Sequence, residues 1–182
     1  MNYNPQKHHR RSIRLREYDY SRPGLYFVTN IAYDREMFFG KIVNNKMILN
    51  EYGNIVRNWW LEIPNKFKNV NLDIFVVMPN HFHGIVQIIS GNSIVGAIHE
   101  SPLQKSSQQN KTQRRNMLLS KMIGYFKMNS AKRINQKRNL QGISVWQRNY
   151  YEHIIRNENE LWRIRKYIVE NPVNWDNDQY FN

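Results

Sequence analysis

Apolar and polar positions along this chain fall into short blocks with two different periods. After a turn at Ser21-Arg22-Pro23-Gly24, the run Leu25-Tyr26-Phe27-Val28-Thr29-Asn30-Ile31 has the β-branched and aromatic content of a strand. Phe38 to Val43 and Lys46 to Asn50, joined at Asn44-Asn45, read as a small hairpin. From Tyr52 to about Phe67 the residues Ile55, Val56, Trp59, Trp60 and Ile63 recur at helical spacing, and Pro64 is expected to end or kink that helix. Two apolar runs then flank Met78-Pro79-Asn80, with Leu72, Ile74, Phe75, Val76 and Val77 before it and Ile85, Val86, Ile88 and Ile89 after it. They predict a buried β-hairpin.

Residues 90–113 are poor in apolar positions and read as a flexible loop. From about Asn116 to Asn135, Met117, Leu118, Ile123, Phe126 and Ile134 mark a helix with one packed and one basic side. Strands are expected at 143–147 and 151–155. A last helix starts at Asn157, where Glu160 completes a capping-box pattern, and carries the stripe Leu161, Ile164 and Ile168. It should finish at Asn171, because a residue before proline is pushed out of the α region. No repeat or linker divides the 182 residues, so a single domain is expected over 1–182.

Charge adds a partner to this picture. The net charge is +13, and residues 101–151 hold eleven Lys and Arg without one Asp or Glu. These cations spread through a polar loop and a helix rich in Asn, Gln and Ser instead of gathering on one amphipathic face, so nucleic acid is the expected partner and a membrane surface is not. The DNA-contacting set is taken as Arg114, Arg115, Lys121, Lys127, Lys132, Arg133, Lys137 and Arg138, helped by a basic arm over residues 1–20. No apolar run approaches the roughly 20 residues of a membrane span, and no signal peptide is evident, so a cytoplasmic protein is expected. The absence of cysteine removes disulfides, thiolate metal sites and thiol nucleophiles.

The candidate chemistry lies in two places. In the second strand of the buried hairpin, alternation puts His81 and His83 on one face and Phe82 on the other, so two imidazoles can address one divalent metal ion. A His-x-His pair also fits two ordinary strand residues facing solvent or a hydrogen-bond partner. In the last helix, Tyr167 and Asn171 stand four apart on one face, with Cβ atoms roughly 6 Å apart. That spacing equally fits a tyrosine at the helix edge and an asparagine cap.

Taken together, Met78-Pro79-Asn80-His81-Phe82-His83 with Gly84-Ile85-Val86, the stretch from Val145 to Arg156, and Tyr167-Ile168-Val169-Glu170-Asn171-Pro172-Val173 closely resemble the REP-associated tyrosine transposases. These are single-tyrosine HUH transposases, and the resemblance runs from about Leu25 to Trp175. It implies an α+β fold, ferredoxin-like or RRM-like, with helices packed on a central antiparallel sheet that carries the histidines. It also implies that His81, His83 and Asn171 hold a divalent metal, Mg²⁺ or Mn²⁺, while Tyr167 attacks single-stranded or hairpin DNA, leaving a 5′-phosphotyrosine link and a free 3′-hydroxyl. Insertion-sequence relatives tend to have Gln where this chain has Asn171, and relatives act as monomers or as homodimers. Lys166 and Arg163 are suspected of stabilising the phenolate. Glu152 and His153 are expected to make hydrogen bonds within the fold, and Tyr150 and Tyr151 form a reserve nucleophile pair. A silent DNA-binding regulator and an HUH replication or conjugation initiator stand as the other readings.

Overall fold

Each main strand divides its side chains between two faces, and the fold follows from what covers each face. A computed structural model describes residues 18–90, 116–178 and 180. Strands β1 (Gly24–Ile31), β4 (Val70–Val77), β5 (His81–Ile88) and β6 (Tyr151–Ile155) form one antiparallel sheet in the order β4-β5-β1-β6. The short strands β2 (Gly40–Val43) and β3 (Lys46–Leu49) pair separately, joined by Asn44 and Asn45, both at positive φ as a tight two-residue hairpin turn requires.

Along β5, Phe82 and Val86 join the larger core with Tyr26 and Val28 of β1, whereas Ile85 joins Phe27 in a smaller one. The larger core is covered by α1 (Glu51–Leu61) and α3 (Leu118–Lys137), with Trp60 and Phe126 against Phe82 at centroid distances of 4.5 and 5.2 Å. The smaller core is covered by α4 (Glu158–Glu170) through Leu161, Ile164 and Ile168. Leaving β2 and β3 aside, the element order is βαββαβ with both intervening helices on one face, the ferredoxin-like α+β arrangement that the family resemblance implies. Gly84 faces the larger core, where a Cβ would lie 2.6 Å from Cζ2 of Trp60, so only glycine lets that indole approach the sheet.

Two helix boundaries are borne out and one strand is corrected. The helical run expected from Tyr52 to Phe67 breaks at Glu62, and Pro64 sits in the first turn of a separate short helix, α2 (Ile63–Lys66), where its missing N–H costs nothing. Residues 143–147 are not a strand: one bridge joins Trp146 to Ala32, and the ammonium of Lys127 then takes the carbonyls of Gln147, Arg148 and Asn149 (2.5–3.5 Å) that a neighbouring strand would have taken. The last helix finishes at Asn171 as expected, but not for the expected reason: Asn171, though it precedes proline, keeps helical dihedrals (φ −56°, ψ −43°), held by its buried amide. The basic arm and the 90–113 loop lie outside the described residues, apart from 18–20 and Ser90. Among the described residues no helix is long and apolar enough to cross a membrane.

Candidate active site

The tight turn between β4 and β5 places the first histidine. Asn80 is fully buried; its carbonyl accepts from Ala32 N (2.8 Å), and its Nδ2 donates to the carbonyl of Tyr180 (2.6 Å). This fixes Asn80 Oδ1 toward Nδ1 of His81 at 2.9 Å, so the ring proton belongs on Nδ1 and the lone pair on Nε2. That Nε2 is buried and has no hydrogen-bond partner among the described residues. His83 is tied in the same way, with Nδ1 2.8 Å from the hydroxyl of its cross-strand neighbour Thr29. The two rings lie on one face, 4.5 Å apart between centroids, as strand alternation predicts.

The opposite wall comes from α4. Its start is capped by Asn157 Oδ1 on Glu160 N (2.9 Å), and the Glu160 carboxylate accepts from Arg156 N and meets His153 Nε2 at 2.6 Å, which joins β6 to the helix. A second tie runs from Arg165 to Asp73 on β4. With the helix so held, the Tyr167 hydroxyl lies 3.1 Å from Nε2 of His83, and its ring meets Phe27 edge-on at 6.2 Å. Asn171, one turn further on, is buried; its Nδ2 donates to Asp178 (2.8 Å) and its Oδ1 has no partner among the described residues.

Asp178 is the residue that sequence reasoning missed. After Pro172 the chain turns back through the one-turn helix Trp175–Asn177, stacks Trp175 on His81 (5.9 Å), and delivers Asp178 beside the histidines. Ligand atoms of His81, His83 and Asp178 all lie within 4.8 Å of one another. Tyr180 closes this segment over both rings, 4.8 Å from His81 and 5.9 Å from His83. Two acids near the end of a basic chain, Asp176 and Asp178, were the available signal, but spacing alone could not say which would fold against the histidines.

Burial sets the protonation states. It pulls His81 down to about 4, against the opposing influences of the Asp178 carboxylate and the Asn171 amide. It holds His83 well below the usual imidazole value, and His81 adds to this. Both rings are therefore neutral at physiological pH, with lone pairs available to a metal. Tyr167 is pushed far above an ordinary phenol by burial, then by the charge of Asp178 and the nearby Tyr180, while Asn171 acts the other way.

The expected DNA-contacting set does not gather around this site. Arg114 and Arg115 lie outside the described residues. The others belong to α3 or its C-terminal end, on the opposite face of the sheet from Tyr167. Lys121 and Lys132 are exposed, Arg133 bonds Gln136 (3.3 Å), Lys137 pairs with Glu51 (3.0 Å), and Arg138 lies over Phe38 at 4.8 Å. Lys127 turns inward onto the loop carbonyls, and burial lowers its ammonium to about 8. Lys166 faces Trp162 (5.4 Å) and Glu170 (3.8 Å), and Arg163 is exposed. Tyr151 shares the face of the site, edge-on to Phe27 at 6.2 Å, whereas Tyr150 reaches Ser120 of α3 (3.5 Å).

A ferredoxin-like sheet presenting His81 and His83 toward a helix tyrosine defines the class of domain. Among solved structures, a REP-associated tyrosine transposase bound to a REP hairpin has a TM-score of 0.50 with this chain at 19% identity, over 88% of this chain and 72% of its own. The chain has the fold of that transposase. An uncharacterized protein of Haemophilus influenzae (strain ATCC 51907 / DSM 11121 / KW20 / Rd) is 41% identical over 179 residues, 98% of this chain and 97% of its own length. The present chain belongs to one family with that Haemophilus protein. No protein-family model matches it.

Proposed function

We propose that this protein is a metal-dependent endonuclease and strand transferase of single-stranded DNA, a transposase-type enzyme whose nucleophile is Tyr167. The observation that carries the reading is the 3.1 Å approach of the Tyr167 hydroxyl to His83 Nε2, beside a His81 Nε2 that is buried with nothing to bond. His81, His83 and Asp178, with the orphaned Oδ1 of Asn171, fit a divalent cation of the Mg²⁺ or Mn²⁺ kind: two neutral imidazoles, one carboxylate and one amide oxygen. Such an ion, when bound, neutralises a phosphate oxygen and the charge that develops during attack.

The chain's own groups supply the rest. The Tyr167 oxygen forms a bond to phosphorus, the bond to the 3′ oxygen breaks, and that oxygen takes up a proton to leave as a 3′-hydroxyl. The phenolic proton must leave first, and it goes to solvent water: Nδ1 of His83 is taken by Thr29, and the lone pair on Nε2 that meets the hydroxyl here is the one that would hold the metal. The product is a 5′-phosphotyrosine ester, close in energy to the phosphodiester consumed, so rejoining needs no ATP. The net charge of +13 supports a DNA partner, and the structural relative bound to a REP hairpin supports hairpin DNA as the form to test.

The test is a denaturing gel of purified protein with labelled single-stranded hairpin DNA from the gene's own flanks and Mn²⁺ or Mg²⁺. A labelled band at protein mass that needs metal and vanishes in Tyr167→Phe is the expected result. One observation favours a second reading, a silent DNA-binding regulator: burial, and after it the charge of Asp178, holds the phenol protonated. Tight binding without any adduct, while an active relative reacts alongside, selects that reading.

A further inference from the structure

On the α3 side of the sheet, away from Tyr167, the chain forms a groove that the chemistry above does not use. It lies between the second half of α3 and the loop from Leu140 to Arg148, and encloses about 620 Å³. That is within the roughly 300–1,000 Å³ typical of small-ligand sites.

Three features of the lining point to one kind of occupant. Met128, Leu140 and Ile143 line it and are exposed, Met128 by 63%, so apolar surface faces a concavity instead of the core. Asn135, only 8% exposed, donates Nδ2 to the carbonyl of Ile143 (2.7 Å), but its buried Oδ1 has no partner among the described residues. A buried acceptor left unpaired is costly, and an incoming N–H would satisfy it. Lys132 and Arg148 also line the groove, and no Asp or Glu does.

We propose that this groove takes an unpaired nucleotide of single-stranded DNA. The base lies against Met128 and Ile143, an exocyclic amino group donates to Asn135 Oδ1, and the flanking phosphates lie between Lys132 and Arg148. Apolar walls suit a base face, which every nucleotide offers, and the amide acceptor discriminates. Adenine, whose N6 amine projects from the ring, reaches Oδ1 by one hydrogen bond better than thymine, whose only donor is the N3–H set between two carbonyls. The inference rests on the reading that single-stranded DNA is the partner, but it concerns a site apart from the histidines and Tyr167.

The experiment uses the full chain carrying Tyr167→Phe, in EDTA, so that neither covalent chemistry nor metal contributes. Fluorescein-labelled oligodeoxyadenylate and oligothymidylate are titrated and read by anisotropy at fixed salt. Arg148→Glu removes a phosphate contact, and Ala131→Trp fills the groove without altering charge. Each should weaken oligodeoxyadenylate binding about tenfold or more. The preference for adenine over thymine should disappear in Asn135→Leu. Melting temperatures identify any variant that fails to fold, and the remaining two then decide. Unchanged affinity in folded variants, absence of binding, or displacement of the DNA from the groove by an oligoglutamate peptide overturns the proposal. The adduct gel keeps the two ideas separate. An adduct with unaffected groove variants rejects the groove alone, and weakened groove variants without an adduct reject only the tyrosine chemistry.

Discussion

The hydroxyl of Tyr167 lies 3.1 Å from Nε2 of His83, although the two residues are 84 positions apart in the chain. Phenylalanine keeps the ring against Phe27 and removes only this bond. Tyr167→Phe is therefore expected to abolish the DNA adduct while costing about 1 kcal/mol of stability, the net worth of one hydrogen bond. Urea melts and the adduct gel together check this; a large loss of stability would show that the hydroxyl is chiefly structural.

Asp178 acts on Tyr167 and on the proposed metal site in opposite senses. Its charge raises the phenol, so Asp178→Asn should bring Tyr167 back toward an ordinary tyrosine. The same change removes a carboxylate from the ligand set and should weaken Mn²⁺ binding about tenfold or more. Ultraviolet difference titration, with Tyr167→Phe as the blank, reads the first effect, and calorimetry with Mn²⁺ the second. An unmoved titration would mean that burial alone holds the proton.

The histidines make stability depend on pH. His81 protonates near 6.5 in the unfolded chain but only near about 4 in the folded one, so the unfolded state binds more protons between those values. Stability should be full above about pH 6.5 and fall as pH drops toward 4, by on the order of 3 kcal/mol in all. Replacing His81 by Gln should remove its share of that slope in urea melts taken across the range and leave the share of His83. A slope unchanged by the substitution would assign it to other groups.

Gly84→Ala puts a methyl group 2.6 Å from the Trp60 indole and 2.9 Å from the ring of Phe82. Overpacking of this kind costs about 1–3 kcal/mol. Because Gly84 adjoins His83 in β5, Mn²⁺ affinity should fall along with the melting temperature. A variant as stable as wild type would show that the indole has room to move.

Local periodicity made much of this legible. Alternation at Phe82 separates the histidine face from the larger core, and the stripe of Leu161, Ile164 and Ile168 marks the helix that carries Tyr167. What sequence could not supply was contact between distant segments. Residues 143–147 look like a strand, yet their neighbours' carbonyls are taken by Lys127, some twenty residues earlier in the chain. Pre-proline geometry argued against a helical Asn171, and its bond to Asp178 overrode that preference. The cations of α3 could be counted but not assigned to a face, because the choice depends on which core the helix covers.

β5 is paired on both sides, with β4 and β1, and both faces of its neighbourhood are covered. Its amides should exchange with deuterium only when the whole domain unfolds. α4 rests on the smaller core and is tied by the His153–Glu160 hydrogen bond and the Arg165–Asp73 ion pair, whose basic partners are partly solvent-exposed, so its amides should exchange through local opening at a lower free energy. The imidazoles are thus expected in the part that persists longest, and Tyr167 in a segment that opens first. Under the proposed function, that division would let the tyrosine move with its DNA strand while the two rings keep their places.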